Sequence, residues 1–314
     1  MRRSRQKLEW TTWRVLRLAQ PMGERVLAEV LDGGQSFRWR REAEGWVGVF
    51  GRGVAQLRPH ARGVEWRQPE GMPDLGEALG RYLDAEGEQA ALAERLPWRS
   101  DAFLREAMER FPGLRILRQE PEEALLAFLC SSNKQIVQIR RMVAALAESL
   151  GEEVAPGYCA LPSWERLARA GEAELRACGL GYRAGFVRGT AGRLARERDW
   201  LGGLEGTTTA EAEARLAELP GVGPKVAACV ALFGLGRLDA FPVDTWIGRV
   251  MSEGYELSGW RNEALGRFGR AHFGEAAGLA QQWLFARARA EQGRKKSPRM
   301  SGGFEEGRGP RLSP

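Results

Sequence analysis

Lys225 and Asp244 are the residues whose types and spacing most suggest reaction chemistry. Lys225 follows the LPGVG turn at 219–223 and lies in the first turn of a predicted helix with Pro224 at its first position. The helix dipole and partial burial both favour the neutral amine there, a nucleophile suited to attacking the C1′ carbon of a sugar and forming a Schiff base. Taken without its neighbours, Lys225 is better explained as an ordinary surface lysine that touches phosphate.

Asp244 follows an irregular stretch and opens the next predicted helix. Aspartate is a favoured N-cap residue, so capping alone could explain it. A capping carboxylate is also held rigidly, as a group must be to stabilise positive charge on a sugar. Because a return loop joins the two helices, we expect their N-terminal ends to converge.

The turn before Lys225 predicts a phosphate site. Gly221 and Gly223 allow a tight turn, and with Val222 they expose backbone N–H groups at a helix N-terminus, where an anion is favoured. A helix–hairpin–helix grips a DNA backbone in this way; the alternative is a connection used only for packing. We expect no organic cofactor, but a monovalent or divalent cation could bridge the hairpin to phosphate.

Composition narrows the classes of protein. The 314 residues include 47 Lys and Arg against 41 Asp and Glu, a net charge of +6 that suits a nucleic acid without proving one. Four separated cysteines without a C-x-x-C pair, and only two histidines, argue against a disulfide framework, a metal centre and a Ser–His triad. No membrane span or secretory signal is recognisable, which predicts a cytoplasmic protein, or a nuclear one in a eukaryote.

The elements that must position these residues fall into two groups. Alternating apolar residues predict strands over 26–31, 36–40, 46–50 and 54–58, with a hairpin turn at 51–53. Helical periodicity follows from Pro73, and Asn133 is the expected N-cap of a helix with a buried stripe from Ile136 to Leu150. The fold class is α+β: an N-terminal domain over 1–105 with a small antiparallel β-sheet and the helices that follow it, then an all-helical body over 106–290. Residues 291–314 read as a basic disordered tail.

Several stretches together resemble one protein superfamily. The hairpin, Lys225 and the loop ending in Val243-Asp244 resemble the helix–hairpin–helix DNA glycosylases. GQSFRWR at 34–40, LRQEPEEALLAFLCSSN at 117–133 and LGYRA at 180–184 narrow the resemblance to 8-oxoguanine DNA glycosylases. The similarity runs from roughly the first strand to Ala290.

The resemblance implies a bifunctional DNA glycosylase and AP lyase acting in base excision repair. Lys225 would attack C1′ and release the oxidised base, and β-elimination would then cut the strand, with Asp244 stabilising charge on the sugar. The base must be flipped out of the duplex to be read. The remaining pocket residues would be Gly34, whose carbonyl accepts the N7–H that guanine lacks, Gln281 at the Watson–Crick edge, and Phe285 and Cys229 on the two faces of the base.

The resemblance also assigns the contacts to DNA around the lesion. Tyr182 would wedge into the base stack, while Asn133 and Arg183 would bond the orphaned cytosine. Gln138 stands where a second cytosine-reading arginine is usual, and Trp246 replaces a phosphate-binding histidine, so strict cytosine selectivity and that phosphate contact are both weakened. The expected partner is duplex DNA with 8-oxoguanine opposite cytosine, bound by a nucleoid-associated monomer.

Two alternatives remain at this point. An alkylpurine glycosylase of the same superfamily would keep the aspartate but usually lacks a lysine at position 225. A non-catalytic helix–hairpin–helix module would have no reason to hold both Lys225 and Asp244 beside a base pocket. The chain lacks the cysteine cluster that follows the catalytic domain in endonuclease III and adenine glycosylases, which weakens both of those assignments.

Overall fold

An antiparallel five-stranded sheet forms the N-terminal part of the protein. The computed structural model describes residues 8–197 and 199–296. The strands follow the order β1-β5-β4-β3-β2 across the sheet, and their bounds are β1 Arg14–Arg17, β2 Trp39–Glu42, β3 Gly45–Phe50, β4 Gly53–His60 and β5 Gly63–Arg67. Phe50 pairs with Gly53, which confirms the hairpin predicted at 51–53.

The strand predicted over 26–31 is wrong, because this segment lies in helix α1, Glu24–Asp32. Its buried residues are Val26, Leu27, Val30 and Leu31, at a spacing that places them on one helical face. A short apolar run fits a helix as well as a strand, and here the helical spacing decides.

Helices form most of the rest of the chain. In chain order their bounds are α2 Gly76–Tyr82, α3 Glu88–Ala93, α4 Ala102–Arg110, α5 Pro121–Leu129, α6 Ile136–Leu150, α7 Trp164–Arg169, α8 Glu172–Ala177, α9 Arg183–Leu194, α10 Thr209–Leu216, α11 Pro224–Phe233, α12 Thr245–Gly254, α13 Asn262–Phe273 and α14 Ala277–Lys296. The fold class is thus α+β, as predicted.

The helical body also contains one short hairpin that the sequence pattern did not indicate. Its strands are β6, Glu153–Ala155, and β7, Tyr158–Cys159. Ala155 packs with Val49 and Val54 of the N-terminal sheet, so the hairpin joins the body to the sheet.

Helix α14 ends later than the pattern indicates. It continues to Lys296, six residues into the segment predicted as a disordered tail (296 − 290 = 6), and residues 297–314 lie outside the described part of the chain. Within that described part, no helix combines the length and apolarity that crossing a membrane requires.

One continuous core joins the sheet to the helices that carry the site. Phe37, just before β2, packs edge-on against Phe128 of α5 with ring centroids 5.6 Å apart. Phe128 in turn stacks on Phe233 of α11 at 5.3 Å. Helix α11, which begins with Pro224 and Lys225, is therefore held against α5 and the sheet by aromatic packing.

Candidate active site

The hairpin at 219–223 joins α10 to α11 as the sequence predicts. The types and spacing of Thr208 and Glu211 in the sequence predict a capping box, and the two residues form it at the start of α10. Gly221 has φ +81°, and a Cβ atom there would lie 2.5 Å from Cβ of Phe186. Gly221 must therefore be glycine for two reasons, the left-handed backbone and the neighbouring ring.

The N–H groups at the start of α11 are available to an anion. Gly223 is the N-cap of this helix. Within the described residues, no hydrogen bond uses the backbone N–H of Gly223 or of Lys225. Free donors at the positive end of a helix dipole suit a phosphate oxygen.

The Lys225 side chain points towards the end of α5. Its Nζ atom lies 3.2 Å from Oγ of Ser131 and 5.3 Å from the centroid of the Phe128 ring. Ser131 is buried, and its hydroxyl donates to the carbonyl of Phe128 at 2.7 Å. The amine is thus held by one hydroxyl and one ring face, without a carboxylate paired to it among the described residues.

Asp244 caps α12 with only one of its two carboxylate oxygens. Its Oδ1 atom accepts from the N–H groups of Trp246 at 3.0 Å and Ile247 at 2.9 Å. No hydrogen bond within the described chain uses Oδ2. The carboxylate is held by the helix end and keeps an oxygen for another positive group.

The Cys229 thiol shows that Lys225 and Asp244 lie at one site. Burial raises the pKa of this thiol to about 11; Lys225 counteracts the rise and Asp244 adds to it. Both charges therefore act on the same sulfur atom, which is 4% exposed as a residue. The two helix ends are therefore near enough for both charges to act on Cys229.

Gly34, Gln281 and Phe285 also come together. A Cβ atom on Gly34 would lie 3.8 Å from Cε1 of Phe285, and the backbone there has φ +110°. Phe285 meets Trp246 edge-on with centroids 6.4 Å apart. Gln281 donates through Nε2 to the carbonyl of Pro242 at 3.2 Å. Gln281 and Phe285 thus contact the chain on either side of Asp244, at Pro242 and Trp246, and the Gly34 turn lies against Phe285.

Of the residues assigned to the gap and the orphaned base, Tyr182 is exposed and Arg183 is buried. Tyr182 is 52% exposed, in keeping with a wedge. Arg183 is 2% exposed, and its guanidinium donates to the carbonyls of Ser132 and Leu180 and lies 4.3 Å from the Tyr182 ring centroid. A contact from Arg183 to DNA therefore requires its side chain to leave these carbonyls, and its role stays a prediction.

Asn133 is not the N-cap of α6, contrary to the prediction. The cap is Gln135, whose backbone N–H donates to Oε1 of Gln138 at 3.2 Å. Asn133 lies two residues earlier, exposed, with φ +52°. Asparagine tolerates this left-handed conformation, and the turn presents its side chain to solvent.

Sequence reasoning missed Phe186 and Ser131. Phe186 is 42% exposed, packs against Gly221 of the hairpin, and meets Tyr182 edge-on at 6.0 Å. An aromatic residue four positions after Tyr182 on one helix was the available signal. Ser131 gave none, because a serine near a helix end is common and its approach to Lys225 depends on the packing of α5 against α11.

An open cleft of about 830 Å³ between α10, α11 and α13 is lined in part by Lys225. Glu213 and Arg270 on its wall are 3.6 Å apart. Arg267 also lines it and is exposed, without an ion-pair partner in the described chain. Within that part of the chain, no group of three or more His, Cys, Asp or Glu side chains could hold a metal ion.

Comparison with known proteins places this arrangement in a family. Residues 126–265 match the HhH-GPD superfamily of base excision DNA repair proteins, and residues 17–125 match the N-terminal domain of 8-oxoguanine DNA glycosylases. The fold is that of the helix–hairpin–helix repair class. The two matches meet within α5; the domain boundary at 105/106 stays a prediction.

The particular family follows from the relatives. The chain is 36% identical to N-glycosylase/DNA lyase OGG1 of Arabidopsis thaliana over 304 residues, covering 90% of this chain and 82% of that one. It is 32% identical to N-glycosylase/DNA lyase of Saccharomyces cerevisiae over 277 residues, 78% and 72% of the two chains. The protein belongs to the 8-oxoguanine DNA glycosylase family.

A solved structure agrees over most of the fold. The 8-oxoguanine glycosylase/lyase of Clostridium acetobutylicum, in complex with double-stranded DNA containing cytosine opposite 8-oxoguanine, superposes with a TM-score of 0.79 at 28% identity. The match covers 85% of this chain and 92% of that one.

Proposed function

We propose that this protein excises 8-oxoguanine from duplex DNA and then cuts the strand as an AP lyase. The observation that carries the proposal is the pairing of two held groups: Lys225 Nζ is held at Ser131, and Asp244 caps α12 with one oxygen and keeps the other free. Both charges act on the buried Cys229 thiol, and Phe285 lies against both the Gly34 turn and Trp246. The family membership and the relatives named N-glycosylase/DNA lyase support the same assignment.

The chemistry follows from these groups. The free amine of Lys225 forms a bond to C1′ while the bond from C1′ to the base breaks, and the base leaves with the bonding electrons and takes a proton. The amine loses its own proton and ring opening gives the Schiff base, from which loss of a C2′ proton expels the 3′ phosphate. Asp244 stabilises the positive sugar as the base departs, using the oxygen that capping leaves free.

Recognition of the base rests on one hydrogen bond. The Gly34 carbonyl would accept from N7–H of 8-oxoguanine and would face a lone pair on guanine, a costly mismatch in a pocket without water. Phe285 and Cys229 would enclose the ring, and Gln281 would bond its Watson–Crick edge once its amide leaves the Pro242 carbonyl. Cys229 suits a neutral contact, since its thiol stays protonated at neutral pH.

DNA would be held by the hairpin and by the exposed aromatic pair Tyr182 and Phe186. In the described part of the chain, Gly221 and Gly223 offer free N–H groups to a phosphate, whereas the N–H of Val222 donates to the carbonyl of Leu219, so Val222 would contribute to the phosphate site only by shaping the turn. Tyr182 would enter the base stack, and Trp246 would lie near the next phosphate. Asn133 and Arg183 would bond the orphaned cytosine. We also propose that the protein acts as a monomer on chromosomal DNA, in a nucleoid or a nucleus.

We also propose that the hairpin binds a cation. The carbonyls of Leu219 and Pro220 already accept from Val222 N at 3.1 Å and Thr190 Oγ1 at 2.9 Å. Each oxygen keeps a second lone pair, so the hairpin could hold a cation against phosphate.

The test is covalent trapping. The protein is incubated with an 8-oxoguanine:cytosine duplex and borohydride, which reduces a Schiff base to a stable adduct. We expect an adduct with the wild type and none with Lys225→Gln. Absence of both adduct and base release in the wild type would refute the proposal, and release of an alkylated purine instead would favour the related glycosylase class. Binding of DNA without release of any base would indicate a non-catalytic module.

A further inference from the structure

In the turn that carries Gly34, the carbonyls before and after it are hydrogen-bonded, and in the described part of the chain the Gly34 carbonyl between them is not. The carbonyl of Gly33 accepts from Nη1 of Arg289 at 2.9 Å. The carbonyl of Gln35 accepts from Nε2 of Gln119 at 2.6 Å. Within the described residues, no hydrogen bond uses the carbonyl of Gly34 between them. The backbone is therefore fixed around an acceptor that remains open to a ligand.

Arg289, which bonds the Gly33 carbonyl, lies on the helix that also carries the base-pocket residues. Its Nη1 atom also pairs with Oε1 of Glu29 at 2.7 Å, and the two side chains are 28% and 16% exposed. Burial raises the pKa of Glu29 while Arg289 lowers it, as expected for a charge held in the interior by its partner. A Cβ on Gly33 would lie 2.1 Å from the carbonyl oxygen of Glu29, so the turn packs directly on α1.

Arg289 also continues the pocket-lining face of α14. Gln281, Phe285 and Arg289 are four residues apart, which places them in one row along the helix. The guanidinium carbon lies 5.9 Å from the centroid of the Phe285 ring. One helix face thus presents the amide for the Watson–Crick edge, the ring for the base face and the tie to the Gly34 turn.

We infer that Arg289, paired with Glu29, is a positioning residue that aims the Gly34 carbonyl at the flipped base and so sets the preference for 8-oxoguanine. The inference rests on the proposed function. A glycine at φ +110° has little steric barrier to rotation, so its carbonyl direction must be imposed from outside. Arginine suits this work because its fork can bond a carboxylate and a carbonyl at once.

The experiment compares two substrates that need the turn to different extents. Excision from an 8-oxoguanine:cytosine duplex requires base reading, whereas cleavage of an abasic-site duplex requires only Lys225 and DNA binding. For Arg289→Ala we expect kcat/KM for 8-oxoguanine to fall about 10- to 100-fold through misplacement of one group. Abasic-site cleavage should stay within about 3-fold of wild type, and Arg289→Lys, which keeps the charge but not the fork, should fall in between.

Two further variants separate positioning from folding. Arg289→Ala combined with Glu29→Gln removes the buried unpaired carboxylate, and its 8-oxoguanine excision should remain low. Arg287→Ala is the matched control, because Arg287 on the same helix also pairs with a glutamate and donates to a carbonyl, that of Phe103 at 2.9 Å. It should leave the ratio of the two activities unchanged.

The outcomes distinguish the two proposals. If wild-type protein does not excise 8-oxoguanine, the proposed function fails. If wild type excises it and Arg289→Ala loses both activities equally, or loses neither, the positioning role is overturned. An Arg287→Ala variant with the same selective loss would also overturn it, since the effect would then belong to α14 in general.

Discussion

The Nζ atom of Lys225 donates to the hydroxyl of Ser131 at 3.2 Å, across the contact between α11 and α5. The hydroxyl itself donates a hydrogen bond to the Phe128 carbonyl at 2.7 Å, so its lone pairs are free to accept from the amine. The serine thereby restricts the lysine to one direction without supplying a charge that would stabilise ammonium. A nucleophilic amine benefits from both properties.

Ser131→Ala tests this arrangement. Loss of one neutral hydrogen bond, worth about 1 kcal/mol, should lower the rate of Schiff base formation about 5-fold. Single-turnover borohydride trapping on an abasic duplex measures that rate directly. Ser132→Ala is the control, since within the described chain its hydroxyl makes no hydrogen bond. An unchanged rate in Ser131→Ala would show that the packing of α11 alone orients Lys225.

Asp244 has two roles that substitutions can separate. Asp244→Asn keeps an acceptor for the N–H groups of Trp246 and Ile247, so unfolding free energy should stay within about 1 kcal/mol of wild type. Loss of the negative charge should lower kcat for base excision on the order of 100-fold or more. Urea denaturation and single-turnover excision supply the two measurements.

The control for that comparison is an N-cap remote from the lysine. Ser163 caps α7 by accepting from Arg166 N at 3.3 Å. Ser163→Ala should lose about 1 kcal/mol of stability and keep full activity. If Asp244→Asn behaves like Ser163→Ala, with a stability change and no catalytic loss, Asp244 is only a cap.

The elements around Lys225 were predictable because their signals are local. Pro224 at the first helical position and the glycines of the turn specify α11, and the observed helix begins at Pro224 as the sequence pattern predicts. The same holds for the Thr208 capping box. Local backbone chemistry decides such features, so no tertiary contact was needed to find them.

Other features depended on contacts that a sequence does not display. The segment 26–31 fits both periodicities, and only its packing settles it as α1. Asn133 has the chemistry of a cap, yet the chain turns through it at φ +52° and caps with Gln135. The tie from Arg289 to Gly33 joins residues 256 positions apart. Each is a consequence of the assembled core.

Glu123, at the start of α5, should make stability depend on pH. Burial raises its pKa from 4.5 to about 7, although Arg38 and the backbone N–H of Gly51 lower it. Between these values the folded state keeps a proton that the unfolded state releases, so this stabilising contribution is complete below pH 4.5 and is lost as pH rises through 7.

Glu123→Gln removes that titration. Relative to wild type, the variant should gain stability between pH 5 and pH 8, by at most about 3 kcal/mol and less where water screens the group. Urea denaturation at the two pH values gives the difference. The exposed neighbour variant Glu122→Gln should show no such trend. Parallel pH curves for wild type and Glu123→Gln would contradict a raised pKa.

Gln138 should weaken the preference for cytosine opposite the lesion. Its side chain is exposed and is used to cap α6 through Gln135 N at 3.2 Å, and as a neutral amide it lacks the bidentate charged donors of arginine. Excision rates opposite cytosine, thymine, adenine and guanine should therefore decline gradually in the wild type. In Gln138→Arg, the ratio of the excision rate opposite cytosine to that opposite the other bases should rise about 10-fold, which is the effect of one good bidentate contact.

Gln138→Ala distinguishes the charge from the cap. It removes the bond to Gln135 without adding a donor, so it should lower the stability of α6 and leave the gradual profile as it is. Were the wild type to act on 8-oxoguanine opposite cytosine alone, discrimination would have to come from elsewhere. Arg183 is then the group to examine, because its release from the Ser132 and Leu180 carbonyls would bring its guanidinium to the orphaned base.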